Sequence, residues 1–247
     1  MKAILTYHSI DTSGSPISID PAQFEAHRRW FAQRPVHVLS LSALLTHPAD
    51  GADAVAITFD DGFKNSREAI GALLADGLPV TLFIVSRHVG KTNAWRGVGD
   101  AGIPVMPLLD WDDLDLLRAR GAAVEGHTRT HPSLVGLSDT ELDEEIGGGQ
   151  ADLRARFHDS ITQFAYPYGD LDDRVLGRAR QFYAVGCTTA FSTLEEIGDP
   201  MLLPRLDMYY FRGAGRLEAW GAARFLNRLR WIRTRRRVRR LLFAKGK

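Results

Sequence analysis

Ala56-Ile57-Thr58-Phe59-Asp60-Asp61-Gly62-Phe63 runs from a short apolar, β-branched stretch directly into two adjacent carboxylates and a glycine. A run of this length and composition reads as a buried strand, and in an α/β fold functional groups gather where strands end. Adjacent side chains leaving a strand diverge, so one carboxylate can hold a metal while the other faces a substrate. An Asp-Gly turn that caps a helix is the competing interpretation of the same residues. Working outward, similar apolar runs occur at 3–7, 54–59, 80–85, 122–125, 162–166 and 184–188. Helical periodicity occupies 21–33, 66–76, 111–120, 139–157 and 172–181. Gly77 and Gly121 each stand between a helix end and the next strand, as expected for αβ units. The alternation predicts an α/β fold with parallel strands.

The chain has 247 residues, 45% of them hydrophobic, which suits a folded domain rather than a disordered segment. With no internal repeat or low-complexity linker, residues 1–223 read as one domain and 224–247 as a separate tail. The net charge of +1 conceals a segregation. All 30 acidic residues occur by Glu218, whereas 11 of the 31 basic ones crowd into the last 24 positions. Residues 1–223 therefore carry −10 and the tail +11. The single Cys187 excludes an intrachain disulfide and a four-cysteine zinc site. The apolar stretch after Lys2 is too short for a secretory signal, and no window approaches a membrane span; the expectation is a cytoplasmic protein.

A second cluster, Val124-Glu125-Gly126-His127-Thr128-Arg129-Thr130-His131-Pro132, also follows an expected strand. Histidines four apart can reach one ion, and imidazoles with a carboxylate suit zinc or a similar divalent metal. The sequences ITFDDG and HTRTH resemble the first two motifs of the polysaccharide deacetylases, the NodB-homology group of carbohydrate esterase family 4. Phe164-Ala165-Tyr166-Pro167-Tyr168-Gly169 resembles the FAYPYG form of the third motif, and Trp111-Asp112-Asp113-Leu114 matches the usual approach to the second. The similarity extends from about Tyr7 to about Asp207.

The resemblance implies a distorted, incomplete (β/α) barrel and metal-dependent hydrolysis of an N-acetyl group on an amino sugar. It implies Asp61, His127 and His131 as ligands of a divalent metal, expected to be Zn2+, and Asp60 as general base. Three protein ligands leave positions open on such an ion, where water is acidified towards a pKa of about 7. The oxyanion donor implied is the backbone N–H of Tyr168. Tyr166, Pro167 and Tyr168 are expected against substrate, and Trp95 with the loop 97–107 as one wall of a sugar cleft or as core.

Two positions depart from the family pattern. The Arg that usually opens the third motif is replaced by Ala165, leaving Arg205 in Leu203-Pro204-Arg205 as the candidate to clamp Asp60. The late His that protonates the leaving amine is missing, because no histidine follows His158. His8, at the end of the first expected strand in a Tyr-His-Ser element, is the candidate replacement. His27, His37, His47, His88 and His158 read as surface or packing residues. The alternatives are a deformylase-type amidase acting on a lipid-linked sugar and a catalytically silent carbohydrate- or membrane-binding protein.

The tail, RFLNRLRWIRTRRRVRRLLFAKGK, reads as an imperfectly amphipathic helix. Phe225, Leu229 and Ile232 form one stripe, and Trp231, Val238 and Leu242 a neighbouring one. An anionic membrane surface at the inner face is the first expected partner. Docking on the acidic body comes next, and nucleic acid is the least expected.

Overall fold

The computed structural model describes the chain except at positions 34–35, 49–50, 98, 195–197 and 245–247, with backbone alone at 237 and 239–244. Ten strands are present among the described residues: β1 (Lys2–Tyr7), β2 (Ser9–Ile10), β3 (Ser18–Ile19), β4 (His37–Val38), β5 (Ala54–Asp61), β6 (Val80–Ile84), β7 (Ala123–Gly126), β8 (Gln163–Ala165), β9 (Val185–Cys187) and β10 (Leu206–Asp207). The main sheet is ordered β10-β1-β5-β6-β7-β8-β9, every pair parallel, and β4 pairs with the first residues of β5. Every residue of β1, β5 and β6 is buried. A parallel sheet covered on both faces demands such continuous apolar strands.

The sheet curls towards closure at one place. Leu203 bridges Cys187 of β9 in parallel, and Leu206 then pairs with Leu5 of β1. The short run from Leu203 to Asp207 thus spans the seam of an incomplete (β/α) barrel. The strands β2, β3, β4 and β10 are only two residues long, too short to carry a sequence period.

The helices are α1 (Pro21–Ala32), α2 (Leu41–Thr46), α3 (Arg67–Ala75), α4 (Trp111–Ala119), α5 (Asp139–Leu142), α6 (Gly148–Phe157), α7 (Asp173–Phe182) and α8 (Ala223–Ala244). Side-chain caps explain where most begin. Asp20 accepts from Ala22 N, Asp172 from Val175 N, and Asp110 and Ser138 each form a reciprocal capping box. The expected helix 139–157 is instead α5 and α6 joined by a π-helical turn, Asp143–Gly147. The run Gly147-Gly148-Gly149 accounts for the tight packing at this join. A Cβ at Gly147 would collide with the Phe182 ring, and one at Gly149 would meet the Thr128 backbone at 2.9 Å.

That close approach lets Glu145, on the π turn, accept from the backbone N–H of Arg129 (3.0 Å) and Thr130 (2.8 Å). Asp152 on α6 holds the Arg129 guanidinium. The segment carrying the two histidines is therefore braced from behind by glycines. Gly149→Ala should cost about 1–3 kcal/mol through overpacking against backbone that cannot yield. Gly177→Ala, exposed in α7 with nothing near its would-be Cβ, should stabilise by about 0.5–1 kcal/mol. Urea midpoints of the two variants check the contrast, and a neutral Gly149→Ala would show that the brace is loose.

The described part of the expected tail 224–247 packs on the body at its first turns. Phe225 and Ile232 are each 1% exposed and share the main hydrophobic core, with Leu229 against it. The first apolar stripe of α8 is thus spent on the body, because burying those side chains offsets the cost of docking a charged helix. Trp231 and Val238 remain exposed, while the Leu242 side chain lies outside the described residues. Among the described residues no helix is long and apolar enough to cross a membrane.

Candidate active site

The carboxyl ends of β1, β5, β7, β8 and β10 open on one cleft of about 200 Å³, which gathers His8, Asp60, Asp61, His127, Tyr168 and Asp207. His131, Trp95, Tyr166 and Arg205 border it too. Five non-glycine residues have positive φ among those described; Asp61 (69°), His131 (62°) and Tyr168 (59°) line this mouth, and Thr128 (64°) is buried between the two histidines in sequence. The fifth, His158 (57°), ends α6. Left-handed backbone is costly for such residues and collects where surrounding structure holds side chains for function.

Asp61, His127 and His131 converge. Asp61 Oδ1 lies 3.2 Å from His127 Nε2 and 3.3 Å from His131 Nε2, and all three residues are buried. Oδ1 nonetheless has no hydrogen-bond partner. An orphaned buried carboxylate oxygen facing two imidazole nitrogens is costly as a purely protein arrangement, and it has the donor chemistry of a divalent-metal site. The His127 ring is oriented by a 2.7 Å contact between Nδ1 and the Ala165 carbonyl, which leaves Nε2 for an ion when Nδ1 carries the proton. His131 is oriented by packing instead, with Trp95 stacked on it at 4.5 Å and Tyr168 edge-on at 4.6 Å.

Asp60 points the other way, into the seam. Arg205 donates to both its carboxylate oxygens at 2.7 Å, and both side chains are 4% exposed. Arg205 Nε also donates to the Thr188 carbonyl at 3.1 Å, so the fork is fixed at both ends. Burial alone would raise the two aspartates. Burial is the largest single influence, but the charge and hydrogen bonds of Arg205 with the charges of His8 and His127 together outweigh it for Asp60, and His131, His127 and His8 together do so for Asp61, holding both below the usual carboxylate range. His8 Nε2 sits 3.8 Å from Asp60 Oδ2 on the solvent side.

Around this centre the expected substrate residues divide. Tyr168 is 40% exposed and its hydroxyl donates to Asp100 at 3.1 Å. Pro167 is buried in the turn that carries Tyr168. Tyr166 borders the cleft but is 1% exposed, edge-on to Phe164; its ring is a packing element. Trp95, 8% exposed, backs His131 rather than offering an open platform. Asn93 escaped the sequence reasoning. It is 1% exposed, accepts from Met106 N at 2.6 Å and donates to the Pro104 carbonyl at 3.0 Å, closing the loop that supplies Trp95 and Asp100. A lone Asn in a Gly/Pro-rich stretch carries no signal of that role. Cys187 is fully buried and its thiol is pushed up to about 12, which removes it as a nucleophile.

The family pattern described as polysaccharide deacetylase matches residues 47–185, more than half the chain. The chain belongs to the polysaccharide deacetylase family. Within it, YxkH of Bacillus subtilis strain 168 is 28% identical over 192 residues, covering 75% of this chain and 63% of YxkH. The crystal structure of BC0361, a polysaccharide deacetylase from Bacillus cereus, superposes with a TM-score of 0.68 at 21% identity, covering 83% of this chain and 64% of that one. IcaB from Ammonifex degensii gives 0.69 at 22% identity, over 83% of this chain and 90% of the other. At these identities the structural likeness establishes the deacetylase fold. The chain spans just under two thirds of YxkH and of BC0361.

Proposed function

We propose that this polysaccharide deacetylase-family chain hydrolyses an N-acetyl group from an amino sugar of a polysaccharide or saccharide precursor, with a divalent metal, zinc by preference, held by Asp61, His127 and His131. The observation that carries this reading is the pairing, within one cleft, of that ligand triad with an aspartate clamped on Arg205. When bound, such an ion supplies Lewis acidity, lowering the pKa of water and polarising an amide carbonyl.

The residues divide the remaining work. Asp60, kept ionised by Arg205, accepts the proton of the attacking water. The Tyr168 N–H, set by a positive-φ turn before Gly169, donates to the oxygen on which negative charge develops. His8, 3.8 Å from Asp60, takes the place of the family's late histidine and protonates the departing amine. Trp95 and Tyr168 limit the rotation of His131.

The test is acetate release from a panel of N-acetylated oligosaccharides and lipid-linked N-acetyl sugars, with metal content measured in parallel. Activity should disappear on treatment with a chelator and return with added zinc, and His127→Ala should bind less metal. Activity that survives complete metal removal would defeat the reading, as would a metal-replete protein inactive on every substrate.

A further inference from the structure

Beside the catalytic cleft lies a groove of about 540 Å³, bounded by α8 and the turn that begins at Met208–Phe211. On α8 it is lined by Arg228, Trp231, Ile232, Arg235 and Arg236. These positions are spaced i, i+3, i+4, i+7 and i+8, which is one helical face. The opposite wall brings Arg212 and Arg216 with Tyr209 and Tyr210. Five guanidinium groups therefore share one concavity.

None of the five is ion-paired to a carboxylate among the described residues. Arg216 (3.4 Å) and Arg228 (3.2 Å) both donate to the Tyr210 carbonyl, and Arg212 donates to the Tyr209 carbonyl at 3.2 Å. Aromatic faces hold the planes: Arg212 lies 3.7 Å from the Tyr209 ring centre and Arg235 4.7 Å from that of Trp231. Several of the body's arginines are instead paired with carboxylates, as in Arg28 with Asp76, Arg129 with Asp152 and Arg178 with Asp139. Although residues 1–223 hold the excess acid, no carboxylate joins an ion pair in this groove among the described residues. Burial, reinforced by the Arg216 charge, pushes Arg228 below the ordinary guanidinium range, a sign that the crowding is felt. Neutral acceptors orient the groups, and the nearby Asp207 carboxylate feels Arg236 from the cleft side without forming an ion pair with it; forked donors stacked on aromatic rings match phosphoryl oxygens.

The groove also touches the chemistry. Arg236 lines both concavities, donating to the Thr189 carbonyl (2.9 Å) and to the Tyr210 hydroxyl (3.3 Å). We propose that this arginine groove is an anion subsite that holds a phosphate or diphosphate carried by the amino-sugar substrate. The link to the sugar rests on the deacetylase reading above; the anion site itself does not.

Calorimetric titration of the full chain with inorganic pyrophosphate tests it. Arg216→Gln/Arg235→Gln should weaken binding at least about tenfold, whereas Arg230→Gln/Arg233→Gln, which removes equal charge from α8 outside the groove, should change it less than about threefold. Sedimentation with phosphatidylcholine vesicles, with and without about 30% phosphatidylglycerol, distinguishes the source of the phosphoryl group. Vesicle binding lost in the groove variant assigns it to a lipid headgroup. Pyrophosphate binding without vesicle binding assigns it to a soluble phosphosugar. Binding of neither probe, or equal losses in the two double variants, overturns the subsite. If acetate release fails while pyrophosphate binding persists, the deacetylase reading falls and the groove stands; the reverse result removes the groove alone.

Discussion

Asp60→Asn is expected to lower the rate of acetate release by about 10²–10⁴-fold, the usual worth of a positioned general base, with metal content unchanged. The carboxylate that must take a proton is buried, clamped by two 2.7 Å bonds from Arg205 and kept ionised by them. Asn has nearly the same shape but no basic oxygen, and its amide N–H₂ would face a guanidinium donor. A stability cost of about 1–3 kcal/mol should therefore accompany the loss of rate. Turnover at saturating substrate, metal analysis and a melting curve on the same sample separate the two effects. Near-normal turnover by a folded, metal-loaded Asp60→Asn protein would remove Asp60 from proton transfer.

The largest stability effect should come from the other half of the pair. Arg205→Met leaves a buried carboxylate without its counter-ion, an arrangement that typically costs about 3–5 kcal/mol. The charge, rather than the packing, is the expected source of that loss. Asp60→Asn/Arg205→Met, which buries no net charge at the seam, should regain much of it while remaining inactive. Denaturant unfolding of the three proteins reads the coupling, and additive losses would show that the two side chains do not depend on each other. The pH sign follows from the depressed Asp60 pKa. The pair's contribution is fully present above the unfolded-state carboxylate pKa, and it is lost as pH falls through the lower folded-state value. In Arg205→Met, burial is unopposed by that charge, so the Asp60 pKa should rise.

Both predictions turn on a contact between residues 145 positions apart. From the sequence, Arg205 was a candidate only because Ala165 stood where the family's usual arginine would be. Its reach depends on the short run from Leu203 to Asp207 crossing the barrel seam, and a two-residue strand such as β10 has no periodicity by which to announce itself. Trp95 shows a similar limit. An aromatic residue near a Gly/Pro-rich loop reads equally as cleft wall or core, and burial against His131 decides between them. The glycines at 147–149 look like a weakness in a helix until the backbone of Thr128 is found against them.

What the sequence determined by itself is the local part: buried parallel strands, because continuous apolar runs have no other place in an α/β fold, and the carboxylates and histidines at their ends. The tertiary structure decided every relation that spans the chain. It set Arg205 on Asp60, aimed Asp61 and the two histidines at one point, and buried one stripe of α8 so that its next face became a wall of arginines beside the cleft. The charge segregation is visible in composition, but composition carries no directions. Only packing determines which cations meet carboxylates and which five are left facing one another, because ion pairing acts over a few ångströms and those distances exist only once the chain is folded.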